Sequence, residues 1–146
     1  MFGNRLPIPS LTAALAVLLS GGCAHRKSIG YDEARSDLRA VHSLAAESEL
    51  FIDFVLQGHA TRRYAEEQTN YLKGEVARSL NKLNSEVPET AAEPSVRECQ
   101  ARLNELSHEI SIVGAGIVHD DKNALTLARE RTRKIQESLQ NRSSRS

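Results

Sequence analysis

The chain has no tryptophan, one methionine, three phenylalanines and three tyrosines in its 146 residues. The broad aromatic anchors that line ligand pockets and dominate interface hot spots are therefore scarce, and aliphatic and alanine side chains must build the core. A charge of one sign is lacking too. Nineteen basic residues stand against nineteen acidic ones, and before the tail no Lys/Arg run makes the basic face that nucleic acid needs, so nucleic acid is not an expected partner. No apolar run approaches the ~20 residues that a membrane-spanning helix takes. The densest one, Leu11 to Leu19, is short and follows Pro7 and Pro9. At this length there is room for one modest domain and a targeting segment.

Arg5 is the only charge ahead of the apolar run, and nothing charged follows until Arg26, which is the layout of a secretory signal. The run ends in Leu18-Leu19-Ser20-Gly21-Gly22-Cys23. That ending resembles the lipobox of bacterial lipoproteins, with Ser20 where leucine is commonest. The resemblance covers residues 1–24. It implies a signal peptide over 1–22, cleavage flanked by Gly21 and Gly22, and lipid on Cys23, which becomes the new N-terminus. Two glycines offer a peptidase almost no steric resistance. Two or more acyl chains hold a protein durably at a bilayer where a single one does so marginally, so lipid on Cys23 would make the membrane a partner without a transmembrane helix. By the same resemblance, Ala24 lacks the Asp that favours inner-membrane retention. The expected location is the cell envelope, at the outer membrane facing the periplasm if the host is Gram-negative. The alternative is an ordinary signal cut after Gly22 or Ala24, leaving a soluble periplasmic protein.

Residues 23–30 read as a lipidated N-terminus and tether, in which His25, Arg26 and Lys27 stand where basic side chains gain about 1 kcal/mol each from anionic headgroups. Residues 31–140 read as an all-α, up-down bundle of long helices, and 141–146 as a disordered tail. No period-2 run and no Asn-Gly or Asp-Gly hairpin signal argues for strand. The first helix starts near Asp32 and carries Ala34, Leu38, Val41, Ala45, Ser48, Ile52 and Val55 at alternating spacings, widened by Leu44, Phe51, Phe54 and Leu56. Gly58 gives a turn. The second, from about Ala60 to Val87, is expected to fold back on the first, with Tyr64, Gln68, Tyr71, Leu72, Val76, Leu80 and Leu83 on its apolar side. Pro88 and Pro94 bracket an acidic linker, and Ser95 with Glu98 forms a capping box. A third helix then carries Val96, Cys99, Leu103, Leu106, Ile110, Val113 and Ile117 in coiled-coil steps. That register slips between Gly114 and Asp121 and resumes as Leu125, Ala128, Thr132, Ile135 and Leu139. The expectation is three helices, the third either stuttering there or broken in two, with Asp120 or Asp121 capping a fresh start.

Ile112-Val113-Gly114-Ala115-Gly116 imitates the opening of a dinucleotide fingerprint, but the third glycine position holds His119 and too little chain follows for a βαβ unit. His108-Glu109 imitates a zinc-protease helix, yet residue 112 is Ile, and His119 lies ~16 Å along a helix from His108. His42 and His59 lack ligand-spaced partners, so neither metal nor cofactor is expected. With Cys23 lipidated, Cys99 is the one remaining thiol, and its seam position favours a small buried hydrophobe over an intermolecular disulfide. No nucleophile carries an activating motif, so catalysis is not expected. The functional expectation is a structural or adaptor module that binds another protein, or a second copy, through its helix seams. The rivals are a ligand carrier or enzyme with a pocket between helices, and an envelope signalling regulator.

Overall fold

The computed structural model describes residues 27–143, with side chains described through 141. The signal segment 1–22, Gly21, Gly22 and Cys23 lie outside the described residues. Four helices follow one another: α1 Tyr31–Leu56, α2 Arg62–Ser85, α3 Glu93–His119 and α4 Lys122–Ser143. The all-α expectation holds, but the bundle has four helices rather than three. The break comes where the register slips. Asp120 takes a left-handed backbone with φ 52°, ending α3, and the Asp121 carboxylate accepts a 3.0 Å hydrogen bond from the Ala124 amide, which caps α4.

Cross-helix contacts fix the directions. Glu47 meets Gln68 and Asp37 meets Lys82, Asn84 meets Gln100, and Asp53 meets Arg129, so α1 runs antiparallel to α2 and α4, and α2 antiparallel to α3. This is up-down-up-down order. The packing is a skewed rhombus, however. α1 lies against α4 and α3, and α2 lies against α3, barely touching α1. The expectation that α2 folds back onto α1 is therefore corrected: α2 runs antiparallel to α1 but packs on α3, and long polar side chains and one pair of aromatic rings, Phe54 and Tyr64, bridge it to α1.

The reason lies in side-chain size. A β-carbon on Gly114 would stand 3.3 Å from Thr69 Cγ2, so α2 approaches α3 closely and turns its small residues, Ala65 and Thr69, toward it. An aromatic ring does not fit at that distance. Tyr64 and Tyr71, expected on the apolar side, are instead exposed, and the buried stripe is Ala65, Thr69, Leu72, Val76 and Leu83. The other stripes fall as the periodicity predicts. On α3 they bury Val96, Cys99, Leu103, Leu106, Ile110 and Val113, and on α4 Leu125, Ala128, Thr132, Ile135 and Leu139. These seams are filled within the single chain.

Helix starts differ in detail. α3 begins at Glu93, with Pro94 in the first turn, where a missing amide is harmless. The Ser95–Glu98 box is thus overtaken, and Glu98 turns to Arg102. α2 begins at Arg62, and the Thr61 side chain accepts a 3.3 Å hydrogen bond from the Tyr64 amide. α4 continues through Ser143, past the end expected at 140.

A short parallel pairing was not legible from the pattern: β1, Ser28–Ile29, lies beside β2, Val87–Pro88. The Val87 amide donates to the Lys27 carbonyl at 3.1 Å and the Glu89 amide to the Ile29 carbonyl at 3.0 Å, while Ile29 is wholly buried. Residues 27–30, expected as free tether, therefore belong to the folded unit.

Candidate functional site

Lys27, the first described residue, marks the end of the bundle at which any anchor on Cys23 would lie. An ion-pair cluster covers one side of that end. Lys27 Nζ lies 2.7 Å from Glu33 Oε1 and 3.8 Å from Glu86 Oε1, and Lys82 Nζ lies 2.7 Å from Asp37 Oδ1 and 3.5 Å from Glu33 Oε1. The hydrogen bond from Lys27 holds the Glu33 carboxyl below its ordinary range, and the bond to Asp37 holds the Lys82 ammonium above its own. The lysines are partly or largely exposed while Asp37 and Glu86 are mostly shielded, and pairs with one exposed partner stabilise little individually. The cluster reads as a clasp on the entering strand, because it joins β1, α1 and the end of α2.

On another side of the same end, α1, α3 and α4 border a groove of about 620 Å³. Its walls are the α1 face Tyr31, Asp32, Arg35, Leu38, Arg39 and His42, the first turns of α3 at Pro94, Ser95 and Glu98, and Leu139 and Gln140 near the end of α4. A second hollow of about 450 Å³ lies between α2 and α3, beside Gly114 and Lys73.

The opposite end carries the main aromatic cluster. Phe54 packs against His59, centroids 5.5 Å apart, and edge-on to Tyr64 at 6.0 Å. Despite these contacts Phe54 is 42% exposed, Tyr64 47% and Leu50, one turn before Phe54 on the same face, 70%. Gly58, at φ +74°, makes the turn that brings α2 beside them. Three large apolar side chains thus share one wet corner, with Leu50 and Phe54 about 29 Å and about 35 Å of helix from the start of α1.

The sequence decoys resolve into packing. Gly114 admits α2, and Gly116 admits Leu125, whose Cδ2 would stand 3.0 Å from an added β-carbon. His108 and His119 are exposed on α3. Among the described residues, no three His, Cys, Asp or Glu side chains converge as metal ligands. Cys99 is fully buried with Sγ 3.9 Å from the Ala34 carbonyl, and burial pushes its thiol up to about 12. It is a core residue and offers no surface thiol for joining two chains.

Four buried polar residues were open to question as a hidden site. Ser48 and Thr69 each donate to the carbonyl four residues back on their own helix, at 2.8 and 2.7 Å. Thr132, legible as a seam position, is fully buried with no partner for Oγ1 among the described residues. Glu109 was missed. It is 6% exposed, with Oε1 3.6 Å from Arg131 Nη1 and no hydrogen-bond partner for Oε2 among the described residues. Its place beside Ile110, three residues after Leu106, was the available signal. No described helix is long and apolar enough to cross a membrane. Comparison with protein families, with curated proteins and with solved structures finds no match for this chain.

Proposed function

We propose that this chain is a bacterial envelope lipoprotein, tethered by lipid on Cys23, whose four-helix bundle works by binding another protein. The lipobox-like ending at Cys23 supports the tether. The exposed corner of Leu50, Phe54 and Tyr64 is the observation that carries the binding reading, because monomeric domains seldom leave large apolar side chains grouped in water. It lies at the end of the bundle away from Lys27, where a partner in the periplasm meets no obstruction from the membrane. A second copy of the chain is one such partner, by this corner and not by the seams, which the fold consumes.

Catalysis or carriage in a pocket between helices is the weaker reading. It calls for a core pocket with polar groups converging from several helices, whereas Ser48 and Thr69 are satisfied within their own helices and Glu109 faces Arg131. Of the four buried polar residues, that leaves Thr132 Oγ1 and one Glu109 oxygen as the atoms without a partner among the described residues. A role as an envelope signalling regulator is a use of the same corner and differs only in the partner.

The test of the tether is the intact mass and membrane partition of the full chain produced in a bacterium, beside Cys23→Ala. A mass matching residues 23–146 plus lipid, with release from membranes on substitution, supports the proposal. An unmodified product in the soluble fraction refutes the tether and leaves a periplasmic helical binding protein.

A further inference from the structure

The groove at the tethered end has the chemistry of a phosphate-ester site. Arg35 and Arg39 stand one turn apart on α1 and both line it, and neither guanidinium is in an ion pair among the described residues. Two unpaired guanidinia on one wall are a strong attractor for a phosphate, since each offers a planar fork of donors matched to its oxygens. Next along the same face is His42, half-buried, whose Nε2 is shielded from solvent and has no hydrogen-bond partner among the described residues. A ligand in the groove would satisfy it.

The remaining walls narrow the ligand. Asp32 and Glu98 also face the groove, and Glu98 Oε1 lies 3.4 Å from Arg102 Nη2. Those carboxylates disfavour a bare polyanion and suit a phosphate ester that carries an amine or hydroxyls. Tyr31, Leu38 and Leu139 add apolar surface that a sugar phosphate would leave unused. The volume of about 620 Å³ falls within the ordinary range for small-molecule sites.

Position selects the source. Tyr31 lies four residues after Lys27, and Cys23 four residues before it, so an extended leader reaches at most about 14 Å from Lys27. The mouth of the groove is then held within reach of the headgroup layer, and Arg35 stands one helical turn, about 6 Å, further in. We infer that this groove binds the headgroup of a phospholipid from the membrane to which the chain is tethered, with Arg35 and Arg39 on the phosphate and Asp32 toward its polar substituent. The inference rests on the tethered reading for the source of the ligand, and on the groove alone for its chemistry.

The test uses the full chain purified from the bacterial host, titrated below micelle-forming concentration with dihexanoylphosphatidylethanolamine and, separately, with inorganic phosphate. The arginine side-chain resonances are followed by NMR. The expected result is saturable binding of the lipid that weakens about tenfold or more in Arg35→Gln/Arg39→Gln, with phosphate binding far more weakly. Arg62→Gln/Arg63→Gln, which removes the same charge at the far end of the bundle, should leave it unchanged. Equal binding of inorganic phosphate overturns the lipid source. No saturable lipid binding, or an equal loss in the two double variants, overturns the site. Circular dichroism of each variant confirms folding, and the intact mass of the same preparation reports on Cys23 independently, so a missing anchor and an empty groove are told apart.

Discussion

Gly116 and Leu125 approach so closely across the α3–α4 turn that a β-carbon on the glycine would stand 3.0 Å from Leu125 Cδ2 and 3.1 Å from its Cγ. Leu125 is itself buried, so it has little freedom to withdraw. Alanine at 116 gains ~1 kcal/mol in helix propensity but overpacks the contact by about 1–3 kcal/mol, so Gly116→Ala is expected to be a net loss of about 1 kcal/mol. Gly74, in the interior of α2, meets nothing within 4 Å, and Gly74→Ala should stabilise by up to about 1 kcal/mol. Thermal unfolding of the two variants should therefore shift in opposite directions. A stabilised Gly116→Ala would mean that the turn is looser than its geometry.

Cys99 should resist alkylation. With its thiol buried and raised to about 12, iodoacetamide at pH 8 is expected to leave it intact in the native chain and to modify it promptly in denaturant. Rapid native labelling, measured by mass, would contradict the packing of α3 against Ala34.

Stability should depend on pH at both extremes through the clasp of Lys27, Glu33, Asp37, Lys82 and Glu86. Glu33 is held below its ordinary 4.5 by Lys27, so its contribution is present above 4.5 and is lost as pH falls through the lowered value. Lys82 is held above its ordinary 10.5 by Asp37, so its contribution is present below 10.5 and is lost as pH rises through the raised value. The melting temperature should be level between about pH 5 and 9 and fall on either side. The buried Cys99 thiol adds to the alkaline limb, because the unfolded chain ionises it above 9.0 while the folded chain holds it neutral to about 12. Glu33→Gln should flatten part of the acid limb and Lys82→Gln part of the alkaline one. Limbs unmoved by both substitutions would place the titrating groups elsewhere.

The exposed corner predicts where a partner lies. A photo-crosslinking residue at position 50 or 54 should trap a discrete product in envelope preparations, while one at 78, on the exposed side of α2 toward its other end, should not. Leu50→Asp should abolish the product without unfolding the chain, because Leu50 is 70% exposed. Equal trapping at positions 50 and 78 would remove the corner from consideration.

Much of the fold could be read in advance wherever one stripe decides it. The α3 seam from Val96 to Val113 and the α4 seam from Leu125 to Leu139 are buried as their spacing requires, and the slipped register marks the α3–α4 break. On α2 the expected stripe is buried at Leu72, Val76 and Leu83, but it passes through Ala65 and Thr69 and leaves Tyr64 and Tyr71 exposed. Tyr64 and Tyr71 are larger than Ala65 and Thr69, yet the close approach at Gly114 admits only the smaller pair. The β1–β2 pairing and the groove escaped because both depend on residues far apart in the chain, with no local period. Arg35, Arg39 and His42 read locally as an ordinary solvated face. Only the placement of Pro94 and Leu139 opposite them makes a groove.

The pairing of Ser28–Ile29 with Val87–Pro88 has a mechanical consequence for a tethered chain. Were the chain held at Cys23, as proposed, a pull would enter the described residues at Lys27 and bear on the bonds that the Lys27 and Ile29 carbonyls accept from the Val87 and Glu89 amides. Force then passes to the junction of α2 and α3 as well as to α1, because β2 joins those two helices. The mount is a bracket and not a single hinge: Lys27 and the strand that follows it are held both to α1 and to the junction of α2 and α3.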